Sequence, residues 1–446
     1  MMEWYWALGF LLGMVLFFMF LGLPVALAFL ASNIVGAAYF MGGSGDLMRQ
    51  VSRGMVQLSN NALPTVTSFN LVPVPMFLLM GELFFHAGLA NRMFNAIERL
   101  MGRIPGRLSY VTVAGGTAFA TLSGSSMGST ALLGSLMVPE MTKRGYKKHM
   151  AIGPILGTGG LAMLIPPSAL AVLLATLAQL DVGALLIAGV VPGLILAVLY
   201  TLLIFLQCRF DPSAAPSYDV DHVPWGERIR LLITDVFPML AIVVGVILLI
   251  MNGWATPSES AAFGCLGALV LAVIYRSLTW PAFTAAVTGA LRVTTMALLI
   301  IVGSATFSKL LAFSGASAGF IGWATSFELP ALAMLLVMFA ILLVLGMFMD
   351  QLSMMLLTVP VFFPLAASLG FDFIWFGVII LLALEISFTT PPFGLLLFVM
   401  KGVAPPGTTM REIYMAAIPF MACAMIVVVM LIVEPGIALW LPSLGR

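Results

Sequence analysis

Two double-proline sequences interrupt long apolar stretches of this chain, "IPPS" at 165–168 and "TTPP" at 389–392. Proline has no N–H, and its ring clashes with the carbonyl four residues earlier, so each pair should end a helix. The carbonyls that would lose their helical partners are those of Ala162, Met163, Ser387 and Phe388. An unpaired carbonyl in hydrocarbon is costly, and a bound cation would satisfy it. A simple kink, repaired by neighbouring side chains, is the alternative for each break.

A small polar sequence, "SGSS" at 123–126, lies at the centre of the segment 108–142. Arginines and lysines flank this segment on both sides. Positive charge marks the cytoplasmic side of a membrane, so both ends of the segment should lie there. The sequence therefore predicts a re-entrant hairpin whose polar tip lines a cavity. Tight packing of small residues against a neighbouring helix is the alternative.

The composition places the chain in a lipid bilayer. Hydrophobic residues make up 62% and charged residues 8% of the 446 residues, and the mean hydropathy is +1.14. No soluble domain of this size could bury so much apolar surface. The net charge of +1, without a long basic run, argues against nucleic acid as a partner. The three cysteines are widely spaced and the three histidines scattered, so neither predicts a metal site.

The interrupted regions belong to an internal repeat. Four residues of the first copy recur 225 positions later: Pro139, Gly145, Pro166 and Pro167 match Pro364, Gly370, Pro391 and Pro392. By this offset "SGSS" corresponds to "FMDQ" at 348–351, which predicts a second hairpin. Matching interruptions in two copies are the sequence pointer to the binding site of a secondary transporter.

The predicted fold is an all-α membrane protein built from two inverted repeats. It has about ten transmembrane helices, two of them broken, and two re-entrant helical hairpins. An odd number of spans in each half would invert the second half and leave both termini outside. The first predicted repeat is 1–207, with a hairpin at about 108–142 and a broken helix at 148–181. A cytoplasmic linker at 208–230 follows. The second predicted repeat is 231–446, with a hairpin at about 329–369 and a broken helix at 371–400.

Several longer motifs give the chain a resemblance to a known family. They are "PMFLLMGEL" at 75–83, the run from "SGSSMGSTALL" to "LAMLIPPS", "GWATPSESAA" at 253–262 and "LEISFTTPPFGLLLFV" at 384–399. The pattern covers nearly the whole chain and resembles the large membrane subunit of TRAP (tripartite ATP-independent periplasmic) transporters. Ser258 and Ser260 depart from it, because the family more often has threonine and alanine there.

The resemblance implies an elevator-type, sodium-coupled importer in the bacterial inner membrane, and not an enzyme. A scaffold would hold still while a transport domain with both hairpins carries sodium and an organic acid. The implied partners are a small four-span TRAP membrane subunit and a periplasmic substrate-binding protein, with no cofactor other than Na⁺ as coupling ion. The nearest alternative is a single-component sodium/dicarboxylate-type symporter, whose hairpin tips typically carry Ser-Asn-Thr.

Two sodium sites are predicted, since hard cations prefer oxygen ligands. The first would combine the tip residues Ser123, Ser125 and Ser126 with carbonyls around Ile165 and Pro167. The second would combine the tip residues Gly346, Met349 and Asp350 with Thr389, Thr390 and Pro392. Asp350 is an acid in an apolar hairpin, where a charge is costly unless paired. It could instead form a salt bridge or cap the hairpin turn.

The candidate substrate residues are Ser168, Asp350 and Lys309. Helix N-termini created by the breaks would face a carboxylate or sulfonate with free N–H groups and partial positive charge. Lys309 lies well inside a predicted span, where it could pair with the anion or extend to the outer interface. Glu82 and Glu385 are intramembrane acids to which the sequence assigns no role beyond helix packing.

Overall fold

The computed structural model describes residues 3–43, 46–102, 104–123, 126–216 and 223–444, and the regular structure in these ranges is entirely helical. The prediction of an all-α protein is confirmed. The helices are α1 Trp4–Phe20, α2 Val25–Met41, α3 Leu47–Val66, α4 Pro73–His86, α5 Leu89–Leu100, α6 Arg107–Ser123, α7 Ser126–Lys143, α8 Lys148–Leu164, α9 Ala169–Leu177, α10 Val182–Phe210, α11 Trp225–Leu231, α12 Phe237–Met251, α13 Pro257–Ile274, α14 Trp280–Phe313, α15 Ala316–Thr325, α16 Ala331–Leu345, α17 Gln351–Ser368, α18 Phe373–Phe388, α19 Leu395–Val403, α20 Met410–Val433 and α21 Gly436–Ser443.

Several of these helices are long and apolar enough to cross a membrane. Within the described ranges six meet this criterion, α11 and α12 being joined through a π-helical turn into one of them. Two bent pairs raise the number to eight: α4 with α5, at 62°, and α8 with α9, at 46°. Shorter apolar helices of 15 to 17 residues are α1, α2, α16 and α18. A count of about ten spans depends on these shorter helices and stays a prediction.

Helices α6 and α7 return to the same end of the molecule. The side chains of Arg107, at the start of α6, and Arg144, just after α7, lie 4.0 Å and 3.9 Å from the carboxylate of Glu98. The backbone N–H of Leu108 also donates to the hydroxyl of Tyr146 at 3.3 Å. The pair is therefore a hairpin whose base is tied to α5. Its entry into the membrane from one side stays a prediction.

The second half has helices at matching positions. Helix α17 spans residues 225 positions after α7, and α18 begins 225 positions after α8. Gly145 and Gly370, one after each hairpin, have φ of +79° and +74°, a conformation that favours glycine. The two copies thus share their helix boundaries and the turn that follows.

The two helices that precede the breaks lie at the centre of the larger apolar core. Almost every residue of α8 and of α18 is buried, as expected for helices that are apolar all round. A smaller core joins α1, α2 and the second half of α14, where the rings of Phe29 and Phe307 lie 5.2 Å apart. Helix α14 contacts both α4 and α17, so it borders the region that contains the breaks.

Candidate ion and substrate site

The first break separates α8 from α9. The hydroxyl of Ser168 accepts a hydrogen bond from the backbone N–H of Ala171 at 3.2 Å, so this buried serine caps α9. The break packs closely on α10, because a Cβ on Gly189 would lie 2.1 Å from the carbonyl oxygen of Leu164. The side chain of Ile165 packs against Gly193 of the same helix. Pro167 is buried next to Ser168.

The second break, between α18 and α19, forms a compact turn. The carbonyl of Ser387 accepts from the backbone N–H of Thr390 at 3.1 Å. The prediction that this carbonyl lacks a partner is therefore wrong, because the chain tightens into a turn before the prolines. The hydroxyls of Thr389 and Thr390 both donate to the carbonyl of Ile386, which leaves their oxygen lone pairs free to accept.

One predicted sodium ligand at this break already has a partner. The carbonyl of Pro392 accepts a hydrogen bond from the hydroxyl of Tyr414 on α20, at 2.7 Å. A carbonyl oxygen has two lone pairs, so one remains for a cation. Tyr414 thereby ties the prolines of the break to α20.

The second hairpin tip lies directly against the second break. A Cβ on Gly346 would lie 2.1 Å from the Oγ of Ser387, and the rings of Phe348 and Phe393 are 5.6 Å apart. The structure thus brings the tip that contains Gly346 and Met349 to the turn that contains Thr389. The two segments predicted to share the second sodium site are in contact.

Asp350 caps the helix that leaves this tip. Its carboxylate accepts from the backbone N–H groups of Leu352 at 3.0 Å and Ser353 at 3.2 Å, and from the hydroxyl of Ser353. In this structure Asp350 therefore acts as a helix cap, which was the alternative to its predicted role as a sodium ligand. The same residue also borders a cavity between the two hairpins.

The first hairpin tip is described from Ser126 onward. Ser125 lies outside the described residues, and of Ser123 the structure describes only that it ends α6. Within the described part of the chain, the hydroxyl of Ser126 is buried without a hydrogen-bond partner, and so is that of Thr130 one turn later. A Cβ on Gly159 would lie 2.7 Å from the Thr130 hydroxyl and 3.4 Å from the Ser126 carbonyl. The tip thus packs on α8 ahead of Ile165, and Thr130 joins the candidate ligands.

A cavity of about 210 Å³, the tip cavity below, lies where the two hairpins meet α4 and α14. Three helices begin at its wall: α7 with Ser126, α9 with Ala169 and α17 with Gln351. Its lining residues are Leu78, Glu82, Ser126, Met127, Ala169, Leu170, Leu173, Val293, Ala297, Asp350, Gln351, Leu352 and Phe388. The three helix N-termini bring partial positive charge to this wall, which favours an anion, although Ser168 and Asp350 cap N–H groups of α9 and α17. The carboxylates of Glu82 and Asp350 line the same cavity, so an anion would lie beside them as well.

Two buried polar groups at this wall have no hydrogen-bond partner among the residues that the structure describes. The Nε2 of Gln351 and the hydroxyl of Ser126 are unpaired, although the two residues are only 7% and 3% exposed. Buried polar groups are normally paired, so an unpaired donor in a cavity indicates a ligand. Gln351 belongs to the predicted second tip, but the sequence analysis assigned it no role. Its amide, a hydrogen-bond donor in an otherwise apolar hairpin, could have identified it as a candidate.

The two acids left unassigned by the sequence lie in different places. Glu82 lines the tip cavity and pairs with His86 at 3.2 Å on the same helix. Glu385 is buried one turn before the second break, and its Oε2 has no partner. Its carboxylate occupies the space beside Gly160 of α8, next to the ring of Tyr200. Glu385 therefore packs α18 against α8 and does not line the tip cavity.

Lys309 is not brought to the tip cavity. Its Nζ donates to the Oδ1 of Asn61 on α3 at 2.6 Å, and its side chain borders a separate cavity of about 460 Å³. Lys309 therefore does not share the tip cavity with Asp350 in this conformation, and its role toward the anion stays a prediction. The position of a lysine along a helix does not reveal which neighbouring helix it faces.

The comparisons with known proteins agree on one family. The sequence pattern described as "Tripartite ATP-independent periplasmic transporter, DctM component" matches residues 12–437. The C4-dicarboxylate TRAP transporter large permease protein DctM of Pseudomonas aeruginosa is 30% identical over 415 residues, which are 92% of this chain and 93% of the relative. The ectoine/5-hydroxyectoine TRAP transporter large permease protein UehC of Ruegeria pomeroyi is 31% identical over 431 residues, which are 95% and 96%.

A solved structure supports the fold. The YdaH transporter of Alcanivorax borkumensis superposes with a TM-score of 0.64 at 14% identity, covering 88% of this chain and 90% of that one. At this identity the likeness shows the fold alone. The relatives by sequence are transporter permeases and not enzymes. This chain therefore belongs to the DctM family, the large membrane subunits of TRAP transporters.

Proposed function

We propose that this subunit imports an organic acid across the bacterial inner membrane together with sodium. Related large permeases are named for C4-dicarboxylates, ectoine and sialic acid. The substrate would arrive on a periplasmic binding protein, and a small membrane subunit would join the scaffold. A single-component symporter that works without the binding protein is the alternative.

The observation that carries this proposal is the tip cavity. It combines the N-termini of α7, α9 and α17 with the unpaired donors of Gln351 and Ser126. A carboxylate there would accept charge-assisted hydrogen bonds, which are stronger than neutral ones. Apart from the acids Glu82 and Asp350, the rest of the wall is apolar, which would suit the small organic body of such an anion.

Sodium would bind on either side of the cavity. On one side the oxygen atoms of Ser126, Thr130 and the first break are available, and on the other those of the second tip and of Thr389 and Thr390. Each cation would join a hairpin tip to a broken helix. Binding would therefore assemble the wall on which the anion rests, which couples the two ligands.

The proposed movement is an elevator. The hairpins α6–α7 and α16–α17, with the broken helices, would move as one body past α4 and α14, which form the opposite wall of the tip cavity. An inverted repeat suits this movement, because each copy provides the same interface to one side of the membrane. The orientation of the copies and the movement itself are part of the proposal.

The test is reconstitution of the chain in liposomes with its small subunit and binding protein. Uptake of a radiolabelled C4-dicarboxylate, sialic acid or ectoine is followed with an inward sodium gradient, with and without the binding protein. Uptake that needs both supports the proposal. Sodium-driven uptake without the binding protein supports the single-component symporter, and uptake that ignores sodium contradicts both.

Gly346→Ala is expected to weaken sodium coupling. The new methyl group would lie 2.1 Å from the Oγ and 2.3 Å from the Cβ of Ser387, so the tip must move away from the break. We expect the sodium concentration for half-maximal uptake to rise by about tenfold or more, because small displacements of ligating groups are costly. Ser387→Gly in the same chain should reverse much of this rise. Gly402→Ala, whose methyl group meets nothing within 4 Å, should match the wild type.

Asp350→Asn separates capping from charge. Asparagine can accept the hydrogen bonds from Leu352 and Ser353, so the fold should be kept, whereas Asp350→Ala should lose the cap at a cost of about 1 kcal/mol. If the carboxylate also serves sodium, Asp350→Asn should raise the half-saturating sodium concentration by about tenfold at unchanged thermal stability. The measurement is uptake at varied sodium concentration. An unchanged sodium dependence would limit Asp350 to capping.

A further inference from the structure

A second cavity follows the tip cavity along the same two helices. The tip cavity contacts α9 at Leu170 and Leu173 and α14 at Ala297. The second, of about 460 Å³ and called the outer cavity here, contacts α9 from Thr176 onward and α14 from Ile301 to Lys309. Ala297 and Ile301 are four residues apart on α14, about 6 Å along the helix axis. The two cavities are therefore consecutive chambers of one seam between α9 and α14.

The outer cavity differs from the tip cavity in its charge. Lys309 borders it and forms no ion pair with a carboxylate of the described residues, since its bond is to the amide of Asn61. Two further polar side chains, those of the exposed Gln179 and the half-buried Ser308, also line it. A cation with polar side chains beside it in a roomy cavity offers a site for an anion.

The chain turns at the wall of the outer cavity. Gln179 follows the last turn of α9 with a φ of +56°, a conformation that is uncommon outside glycine. The same residue and Ser308 also border an adjoining cavity of about 280 Å³, which widens the outer cavity toward α17. By the predicted topology Lys309 lies toward the outer face. An anion released outside the membrane would therefore meet Lys309 before it reaches the tips.

We propose that the outer cavity is a staging site in which Lys309 holds the organic anion before it passes along the α9–α14 seam to the tip cavity. This inference rests on the proposed function for the identity of the ligand, but not for the existence of an anion site. Leu173, Ala297 and Ile301 form the apolar layer between the chambers. An anion would cross that layer when α9 moves relative to α14.

The charge of the outer cavity can be tested without a substrate. Ser308→Cys is treated with an anionic reagent, sulfonatoethyl methanethiosulfonate, and a cationic one, trimethylammonioethyl methanethiosulfonate. The ratio of the two reaction rates (anionic over cationic reagent) is measured in the Ser308→Cys variant. It is then compared with the same ratio in the double variants Ser308→Cys/Lys309→Gln and Ser308→Cys/Lys309→Arg. The chain without Ser308→Cys corrects for the native cysteines, and Ala305→Cys, which borders the same cavity, is a second reporter.

We expect Lys309→Gln to lower the ratio of the anionic to the cationic reaction rate by about tenfold, because a nearby positive charge attracts the anionic reagent and repels the cationic one. Lys309→Arg should keep the ratio within about twofold. If Lys309→Gln leaves the rate ratio unchanged at both introduced cysteines, the proposed anion site is wrong.

The staging role is tested by uptake in the reconstituted three-component system. Lys309→Gln should raise the concentration of loaded binding protein needed for half-maximal uptake by about tenfold, with the maximal rate within about twofold of the wild type. A lower maximal uptake rate, with an unchanged half-saturating concentration of loaded binding protein, would contradict the staging role. If the wild type shows no uptake, the proposed function is contradicted. The ratio of the two reagent rates would still decide whether the anion site exists.

Discussion

Gly160→Ala is expected to destabilise the protein more than any conservative change elsewhere in α8. A Cβ at this position would lie 1.3 Å from the Oε1 of Glu385 and 1.5 Å from its Cδ. Both helices are buried along their length, so neither can move aside without opening the core. We expect a loss of more than about 3 kcal/mol, seen as a lower thermal unfolding midpoint and poor recovery of monodisperse protein in detergent.

A second substitution distinguishes this clash from a general intolerance of α8. Glu385→Ala removes the carboxylate, so Gly160→Ala combined with Glu385→Ala should recover much of the lost stability. Gly402→Ala, in helix α19 and without neighbours, is the control and should leave the unfolding midpoint unchanged. A double variant as unstable as Gly160→Ala alone would show that Glu385 does not fill the space beside Gly160.

Gln351→Leu is expected to lower organic-acid uptake strongly without unfolding the protein. The change keeps the approximate size of the side chain but removes the unpaired Nε2 donor at the wall of the tip cavity. A hydrogen bond to a charged group is worth about 1.5–3 kcal/mol, which corresponds to about 10- to 100-fold in the ratio of maximal rate to half-saturating substrate concentration. Thermal stability should be kept or slightly raised, because an unpaired buried donor is lost.

Gln57→Leu provides the matched control, since Gln57 is an exposed residue of α3 that does not line the tip cavity. It should transport as the wild type does. Initial uptake rates at saturating sodium, over a range of substrate concentrations, measure the effect. A Gln351→Leu variant with wild-type uptake would remove this side chain from the proposed anion site.

The sequence predicted the interruptions because their cause is local. A single proline is tolerated inside helices of this chain, as Pro154 is in α8, whereas two adjacent prolines remove two helical N–H donors in succession. The breaks at 165–168 and 389–392 therefore appear where the double prolines lie. The 225-residue offset was equally visible, because prolines and glycines at turns are constrained by the backbone. The boundaries of α7 and α17 follow that offset.

What the sequence missed depends on which helices pack together. Gln351 and Thr130 became candidates only when their side chains were seen to be buried and unpaired beside other helices. Lys309 lies on the expected helix, but it faces α3 and the outer cavity. The Ser387 carbonyl is paired because the turn tightens, which the positions of the prolines alone do not determine.

The central claim is that the organic acid rests among the N-termini of α7, α9 and α17. The most direct measurement is an electron cryo-microscopy structure of the chain with its small subunit, in sodium and an organic acid that the reconstituted system takes up. We predict density for the acid in the tip cavity, with an oxygen within hydrogen-bond distance of Gln351, and ion density between each hairpin tip and its break. A tip cavity without the acid, while density for it lies elsewhere in the transport pathway, would contradict this account.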